Sequence, residues 1–377
     1  MQKTKWLFLL IIIPGTILCL SGCVGSGAQA GNPTIPVPSP AGPAPSQYHY
    51  YFGQFHSHTA YSDGVGTPAE GYIHARDEGG ADFMAITDHS HYFDHSYDWS
   101  QSAEWAALKQ AAIDYTEEGR FIAIAGFEMS FSSPVTGRGH INTFNTVWFE
   151  SKNNPGMDLP GYYQKVKNYP EAILQWNHPG TFFGDFNNFG GYDPAVNRAL
   201  KLVEVGNGEG KPGESNFHPS YEYYTTALDQ GWHVGPSNNQ DNHHANWITA
   251  NPCRTVVLAH SLTQEEIFDA IRNLRVYATE DQDLTVNFQI NGVLMGGSLR
   301  HPDLLEIKIQ IVDPDPGDLI QKIEVIADYG AIAAAETFAS STVNWSLRLP
   351  PAFRYYYLKI TEADGGLAVT APIWTGR

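Results

Sequence analysis

Two histidines one residue apart, His56-Ser57-His58, followed by the acidic turn Ser62-Asp63-Gly64, are the first residues in the chain whose spacing could do chemistry. On a β-strand, side chains two apart share a face, so the two imidazoles can grip one cation. The residues before them, Tyr50-Tyr51-Phe52-Gly53-Gln54, are rich in strand formers, and Ser62-Asp63-Gly64 is turn chemistry. The pair therefore falls where a strand runs out into a loop. His-x-His alone is a weak signal, but the chain repeats the pattern. His89, Glu128, His178 and Asp241 each follow a β-prone run by a few positions. Imidazoles and carboxylates without a thiolate suit Zn, Mn or Fe. The chain has no Gly-x-Ser-x-Gly and no P-loop, which argues against serine-hydrolase and nucleotide-driven chemistry.

The elements that must position these residues alternate. Helices are predicted over 68–78, 102–118, 159–168, 221–229 and 263–274, and strands over 81–87, 121–127, 172–176, 202–205, 232–236 and 255–259, with a β-like stretch opening at Gly139-His140. Such alternation implies an α/β fold with a parallel sheet, whose carboxyl ends gather ligands. From Leu284 the texture changes to short β-prone runs, 284–290, 305–312, 320–327, 342–347 and 355–360, without a long helical pattern. That reads as a small all-β sandwich, a supporting or ligand-binding module without clustered His or Cys.

The 377 residues suit a large α/β domain plus a smaller one. At the N-terminus Lys3 and Lys5 precede an apolar run from Trp6 to Leu20, then Ser21, Gly22 and Cys23. Leu20-Ser21-Gly22-Cys23 resembles a bacterial lipoprotein signal, which implies that residues 1–22 are a removable signal peptide and that Cys23 carries lipid. Pro14-Gly15 also interrupts the run as a membrane span. Residues 23–47, dense in Pro, Gly, Ala and Ser, form a tether of polyproline II character. The expected location is the bacterial cell envelope, lipid-anchored and facing outside the cytoplasm. Of three cysteines, Cys19 leaves with the signal and Cys23 takes lipid, so Cys253 has no partner for a disulfide and reads as a small buried filler. The formal charge of −18 becomes more negative by two with the loss of Lys3 and Lys5, which excludes a nucleic-acid partner.

Taken in order, His56-Ser57-His58 with Ser62-Asp63-Gly64, Ile86-Thr87-Asp88-His89, Gly126-Phe127-Glu128, Gly139-His140-Ile141-Asn142, Trp176-Asn177-His178-Pro179, Glu204-Val205-Gly206-Asn207-Gly208 and Asp241-Asn242-His243 resemble the motifs of the PHP family, named for polymerase and histidinol phosphatase domains, and are most similar to its carbaryl-hydrolase-like branch. The resemblance covers about 48–280 and implies a distorted (β/α)7 TIM-like barrel. The domain expectation is therefore a metallohydrolase domain over 48–282 and the β-sandwich over 283–377. The resemblance implies two or three divalent transition metals. His56, His58, Glu128 and Asp241 would hold the first, and Glu128, His140 and His178 the second, with Glu128 bridging. Asp63, His89 and His243 would hold a third. A hydroxide bridging the ions would attack a small-molecule ester, and Glu128, Asp241 and Asp63 would be the carboxylates carrying catalysis.

The leading functional expectation is a metal-dependent phosphoesterase. A carboxylesterase or a carbamate or amide hydrolase is the alternative, because the same chemistry attacks a carbonyl. A non-catalytic surface-binding lipoprotein with structural metals is the third. Arg138, two residues before His140, is a candidate for binding a substrate phosphate or carboxylate, and equally for a surface ion pair. His91, His95 and His244 read as solvent-facing or outer-layer histidines.

Overall fold

The computed structural model describes residues 47–131 and 138–376. The expected signal peptide, the lipidation site Cys23 and all but the last residue of the tether lie outside the described residues. Five of the six α-helices among the described residues begin at a Ser, Thr or Asp whose side chain accepts a backbone N–H of the first turn. Thr67 and Glu70 form a complete capping box ahead of Pro68.

In chain order the elements are β1 (His49–Gln54), α1 (Pro68–Asp77), β2 (Phe83–Ile86), α2 (Ala103–Tyr115), β3 (Ile122–Ser130), β4 (His140–Phe144), α3 (Leu159–Val166), β5 (Ile173–Asn177), α4 (Pro194–Ala199), β6 (Leu200–Asn207), β7 (His218–Pro219), α5 (Tyr221–Asp229), β8 (Gly235–Asn239), β9 (Arg254–Ala259), α6 (Gln264–Arg272) and β10 (Val276–Thr279). They continue with β11 (Thr285–Ile290), β12 (Val293–Leu294), β13 (Leu305–Val312), β14 (Ile320–Ala327), β15 (Ile332–Ser340), β16 (Thr342–Leu349), β17 (Tyr355–Glu362), β18 (Leu367–Thr370) and β19 (Ile373–Trp374).

The fold is mixed α/β. Strands β1 to β6 are neighbours in sequence order, and β8 pairs with β6. The isolated parallel bridge between Ser57 and Asn242 then returns the end of β8 to the end of β1. Pairing is parallel for β1–β2, β2–β3, β5–β6 and β6–β8. It is antiparallel for β3–β4 and β4–β5. The strict strand–helix alternation read from sequence is therefore broken between β3 and β5, where β4 pairs antiparallel with both.

Strands β2, β3 and β5 are almost wholly buried, as a sheet covered on both faces requires. Gly53 is needed for the β1–β2 approach, since a Cβ there would sit 2.1 Å from the carbonyl oxygen of Phe83. The strand expected over 232–236 lies later, at Gly235–Asn239. Its Ser237, Asn238 and Asn239 are fully buried because their side chains bond to Gln175, Thr279 and Glu204, so hydrophobicity did not mark it.

The C-terminal region is rich in sheet. β12, β11, β13 and β16 form one sheet, and β13 alternates buried and exposed residues along its whole length, the mark of one covered face. The ring of Phe338 in β15 meets Trp345 in β16 at 6.0 Å between centroids. Strands β15, β14, β17 and β18 continue through β10 and β9 into β1. The expected boundary at 282/283 falls in the turn between β10 and β11, inside one compact unit.

Candidate metal centre

All nine sequence-predicted ligands come together at the ends of β1, β2, β3, β4, β5 and β8. At their middle is Glu128. Its two carboxylate oxygens lie 2.8 Å from His89 Nδ1, 3.0 Å from His140 Nδ1, 3.4 Å from His178 Nε2 and 3.5 Å from the Nε2 atoms of His56 and His58. Asp241 Oδ1 faces the histidine pair from the other side, 2.9 Å from His58 Nε2 and 3.1 Å from His56 Nε2. Asp63 stands with His89 and His243, at 3.6 and 3.3 Å.

Ligand atoms within 4.8 Å of one another fall into four overlapping groups: His58, Asp63, His89 and His243; His56, His58 and Glu128; His56, His178 and Asp241; and His89, Glu128 and His140. His58 thus joins the group around Asp63, and His178 groups with His56 and Asp241 while its Nε2 lies 3.4 Å from Glu128.

Neighbouring residues fix this arrangement. Glu204, fully buried, places Oε1 2.9 Å from His56 Nδ1 and accepts the backbone N–H of His178 through Oε2 at 2.6 Å. Its bond to Nδ1 leaves Nε2 of His56 for the cavity, as a carboxylate behind a metal-ligating histidine does. Asn177 Nδ2 donates to Glu128 Oε1 at 2.8 Å. Asp88 accepts from the Thr59 backbone N–H and hydroxyl and from the Ser62 hydroxyl, and so holds the turn that carries Asp63. A Cβ at Gly64 would lie 2.8 Å from the His58 backbone, which keeps that turn tight. Glu209 accepts the backbone N–H groups of His243 and His244. His178 and Asp241 have positive φ, 30° and 49°, a strained conformation for such residues that clusters at functional sites.

The electrostatics are those of a centre built for cations. Burial pushes the Glu128 carboxyl up, but His89, His140 and His56 outweigh it and hold the group well below the usual carboxylate range. Burial lowers His56, yet Asp241, Glu204 and Glu128 raise it well above an ordinary imidazole. His243, drawn down by burial, is raised to about 9 by Asp63 and Asp241.

A donor set of imidazoles and carboxylates, with His178 Nδ1 buried and lacking a hydrogen-bond partner, fits divalent transition metals. His56, His58, Asp63, His89, Glu128, His140, His178, Asp241 and His243 are the residues able to hold them.

Beside His178 opens a cavity of about 430 Å³, walled by Phe182, Phe183, His218, Ser220 and Tyr223. The Phe183 ring lies 4.3 Å from that of His178. At the start of α5, Ser220 donates its hydroxyl to Pro179 O, tying this wall to the ligand loop. Arg138 donates to Asn187 Oδ1 at 2.9 Å. His244, exposed, is engaged with Glu209. His91 is held low, to about 3, by burial and by the nearby Lys152 and His89. Sequence reasoning missed the roles of Glu204, Asn177, Glu209 and Lys152. The first two lie in or beside ligand motifs, Glu204 inside β6 and Asn177 at the end of β5, and a polar residue closing an apolar strand was a signal for Asn177 alone.

No family model matches the chain. An uncharacterized protein of Chlamydia pneumoniae is 22% identical over 306 residues, 72% of this chain and 49% of its own length. An uncharacterized protein of Chlamydia trachomatis is 24% identical over 306 residues, 71% of this chain and 48% of its own. The chain spans about half the length of these curated relatives. Among solved structures, a two-domain protein of Bacteroides vulgatus containing a predicted PHP-like metal-dependent phosphoesterase has 20% identity and a TM-score of 0.48, over 92% of this chain and 100% of that one.

Proposed function

We propose that the chain is a metal-dependent hydrolase of PHP type, acting on small-molecule esters and most readily on phosphoesters. The reading rests on one observation: a single buried carboxylate, Glu128, has five imidazoles within 3.5 Å and a second acid, Asp241, across the same pair of histidines. In this reading β1 to β6 and β8 are the strands of a distorted (β/α)7 barrel, with the C-terminal sheets as a supporting module. In the same reading the protein is lipid-anchored through Cys23 in the bacterial cell envelope and faces outside the cytoplasm.

Two or three divalent ions of zinc, manganese or iron, when bound, supply Lewis acidity and lower the pKa of water. The rest is the work of the chain. Glu128 and Asp241 offset the positive charge gathered among buried imidazoles, and Glu204 and Asn177 hold His56 and Glu128 in place. Phe182, Phe183 and Tyr223 form the wall against which the organic part of a substrate rests.

Those aromatic walls also favour a second reading, a carboxylester, carbamate or amide hydrolase for neutral substrates. Purified protein is expected to carry two to three transition-metal ions per chain, and Glu128→Gln to lose metal and turnover together. A panel of p-nitrophenyl phosphate, bis-p-nitrophenyl phosphate and p-nitrophenyl acetate separates phosphoester from acyl hydrolysis. Metal binding with no turnover of any of them would overturn both readings in favour of a binding protein.

A further inference from the structure

Away from the histidine centre, three acid-x-acid pairs, Asp281-Gln282-Asp283, Asp313-Pro314-Asp315 and Glu362-Ala363-Asp364, converge from the ends of β10, β13 and β17. Oxygens of Asp281, Asp313 and Asp318 lie within 4.8 Å of one another. Asp281 and Glu362 line one cavity of about 720 Å³, together with Asp315, Asp318 and Asp364. Asp281 and Asp313 each spend one oxygen on the backbone N–H two residues on, at 2.8 Å.

What remains is unusual for a merely acidic surface. Glu362 is only 4% exposed and its Oε1 has no hydrogen-bond partner; Asp313 is 2% exposed and its Oδ2 has none. Buried polar atoms are nearly always satisfied, and buried like charges repel, so these two oxygens need either a proton shared between them, which lifts the Glu362 carboxyl to about 8, or a cation.

The geometry points to a calcium site held by Asp281, Asp313, Asp318 and Glu362, pinning the turn after β10 to the β13–β14 connection and the end of β17. Calcium takes about six to eight hard oxygen ligands at about 2.3–2.6 Å in flexible geometry, which suits an all-oxygen set of carboxylates from separate connections. Magnesium, at about 2.0–2.1 Å with strict octahedral demands, fits less well. The absence of nitrogen and sulfur donors separates this site from the histidine centre.

The test is calcium titration of the full chain, its histidine centre already loaded with transition metal, read by calorimetry and by thermal unfolding. The expectation is one further ion per chain, and a rise in Tm of about 5 °C at a hundredfold excess over Kd. Asp313→Asn and Glu362→Gln should each weaken calcium binding at least about tenfold and raise the calcium-free Tm, since each removes a repelling charge. Glu128→Gln should keep the calcium increment, which separates this site from the histidine centre. An absent increment in the unaltered chain, or one kept in both carboxylate variants, overturns the proposal.

Discussion

Glu204 Oε1 lies 2.9 Å from His56 Nδ1, and the same carboxylate reaches the backbone N–H of His178 with its other oxygen. One buried acid thereby fixes two ligands from different strands, and it makes His56 a stronger donor than a free imidazole. Glu204→Gln keeps the shape but loses the charge. It is expected to weaken metal binding by about 10- to 100-fold, measured by competition with a chromophoric chelator. Unchanged affinity would reduce Glu204 to a packing residue.

Asp63 is two-fifths exposed, whereas Glu128 is buried, so an ion placed with Asp63, His89 and His243 would be held by fewer shielded charges. Asp63→Asn should lower metal content by about one ion per chain and cut turnover severely, with little change in Tm, because catalytic metals need not hold a fold. Mild chelation should remove that same ion first. Metal analysis and thermal scans on one preparation check both parts. If stoichiometry and turnover stay as they were, the centre is dinuclear and Asp63 shapes a turn.

Lys152 is exposed, its ammonium lowered by burial of its stem against the pull of Glu128. Its electrostatic reach to Glu128 and His91 places a cation beside the ligand cluster. Lys152→Met should raise KM about fivefold for p-nitrophenyl phosphate, the effect of roughly 1 kcal/mol from an exposed charge, and leave a neutral acyl ester within about twofold. Equal effects on both substrates would remove Lys152 from anion recognition.

Asp82, at the head of β2, accepts the Phe52 N–H at 2.7 Å, yet burial raises its carboxyl to about 6 against that bond. The folded chain therefore holds this proton more tightly than the unfolded chain does. Stability should fall as pH rises from about 4 to about 6, and the loss should persist above that range. Asp82→Asn should remove this slope and raise Tm by a few °C at pH 7. Denaturant titrations at pH 4, 5, 6 and 7 are the measurement, and parallel curves for the two proteins would exclude Asp82 as the source.

Much of the centre was legible because metal ligation demands particular residue types at strand ends, and short apolar runs mark those ends. Helix α5 matches its expected span, 221–229, and β13 and β14 theirs. Other elements were hidden for physical reasons. Strand β8 is polar and buried, its side chains spent on hydrogen bonds, so no hydrophobic run announced it. Strand β15, Ile332–Ser340, is rich in alanine and mostly exposed, and stands as a strand only because β14 supplies its partner. Glu204 carried no individual signal, since a carboxylate behind a ligand needs no fixed spacing from it. Arg138 is turned onto Asn187, a contact between residues far apart in sequence that no local pattern encodes.

Strand β1 pairs with β9 as well as with β2, and Tyr50 stands opposite Leu258. That pairing has a consequence in time. At about 5–20 residues per second, a ribosome that has finished β1 works on for ten seconds or longer before β9 emerges. Closing so long a loop is slow in itself. Throughout that interval one edge of β1 has no backbone partner, and for most of it Asp241 and His243 have not yet been made. A chain cut short before Arg254 would keep that bare edge permanently, open to pairing with another copy. His56 and His58 are thus among the first ligands synthesised and the last to be fixed.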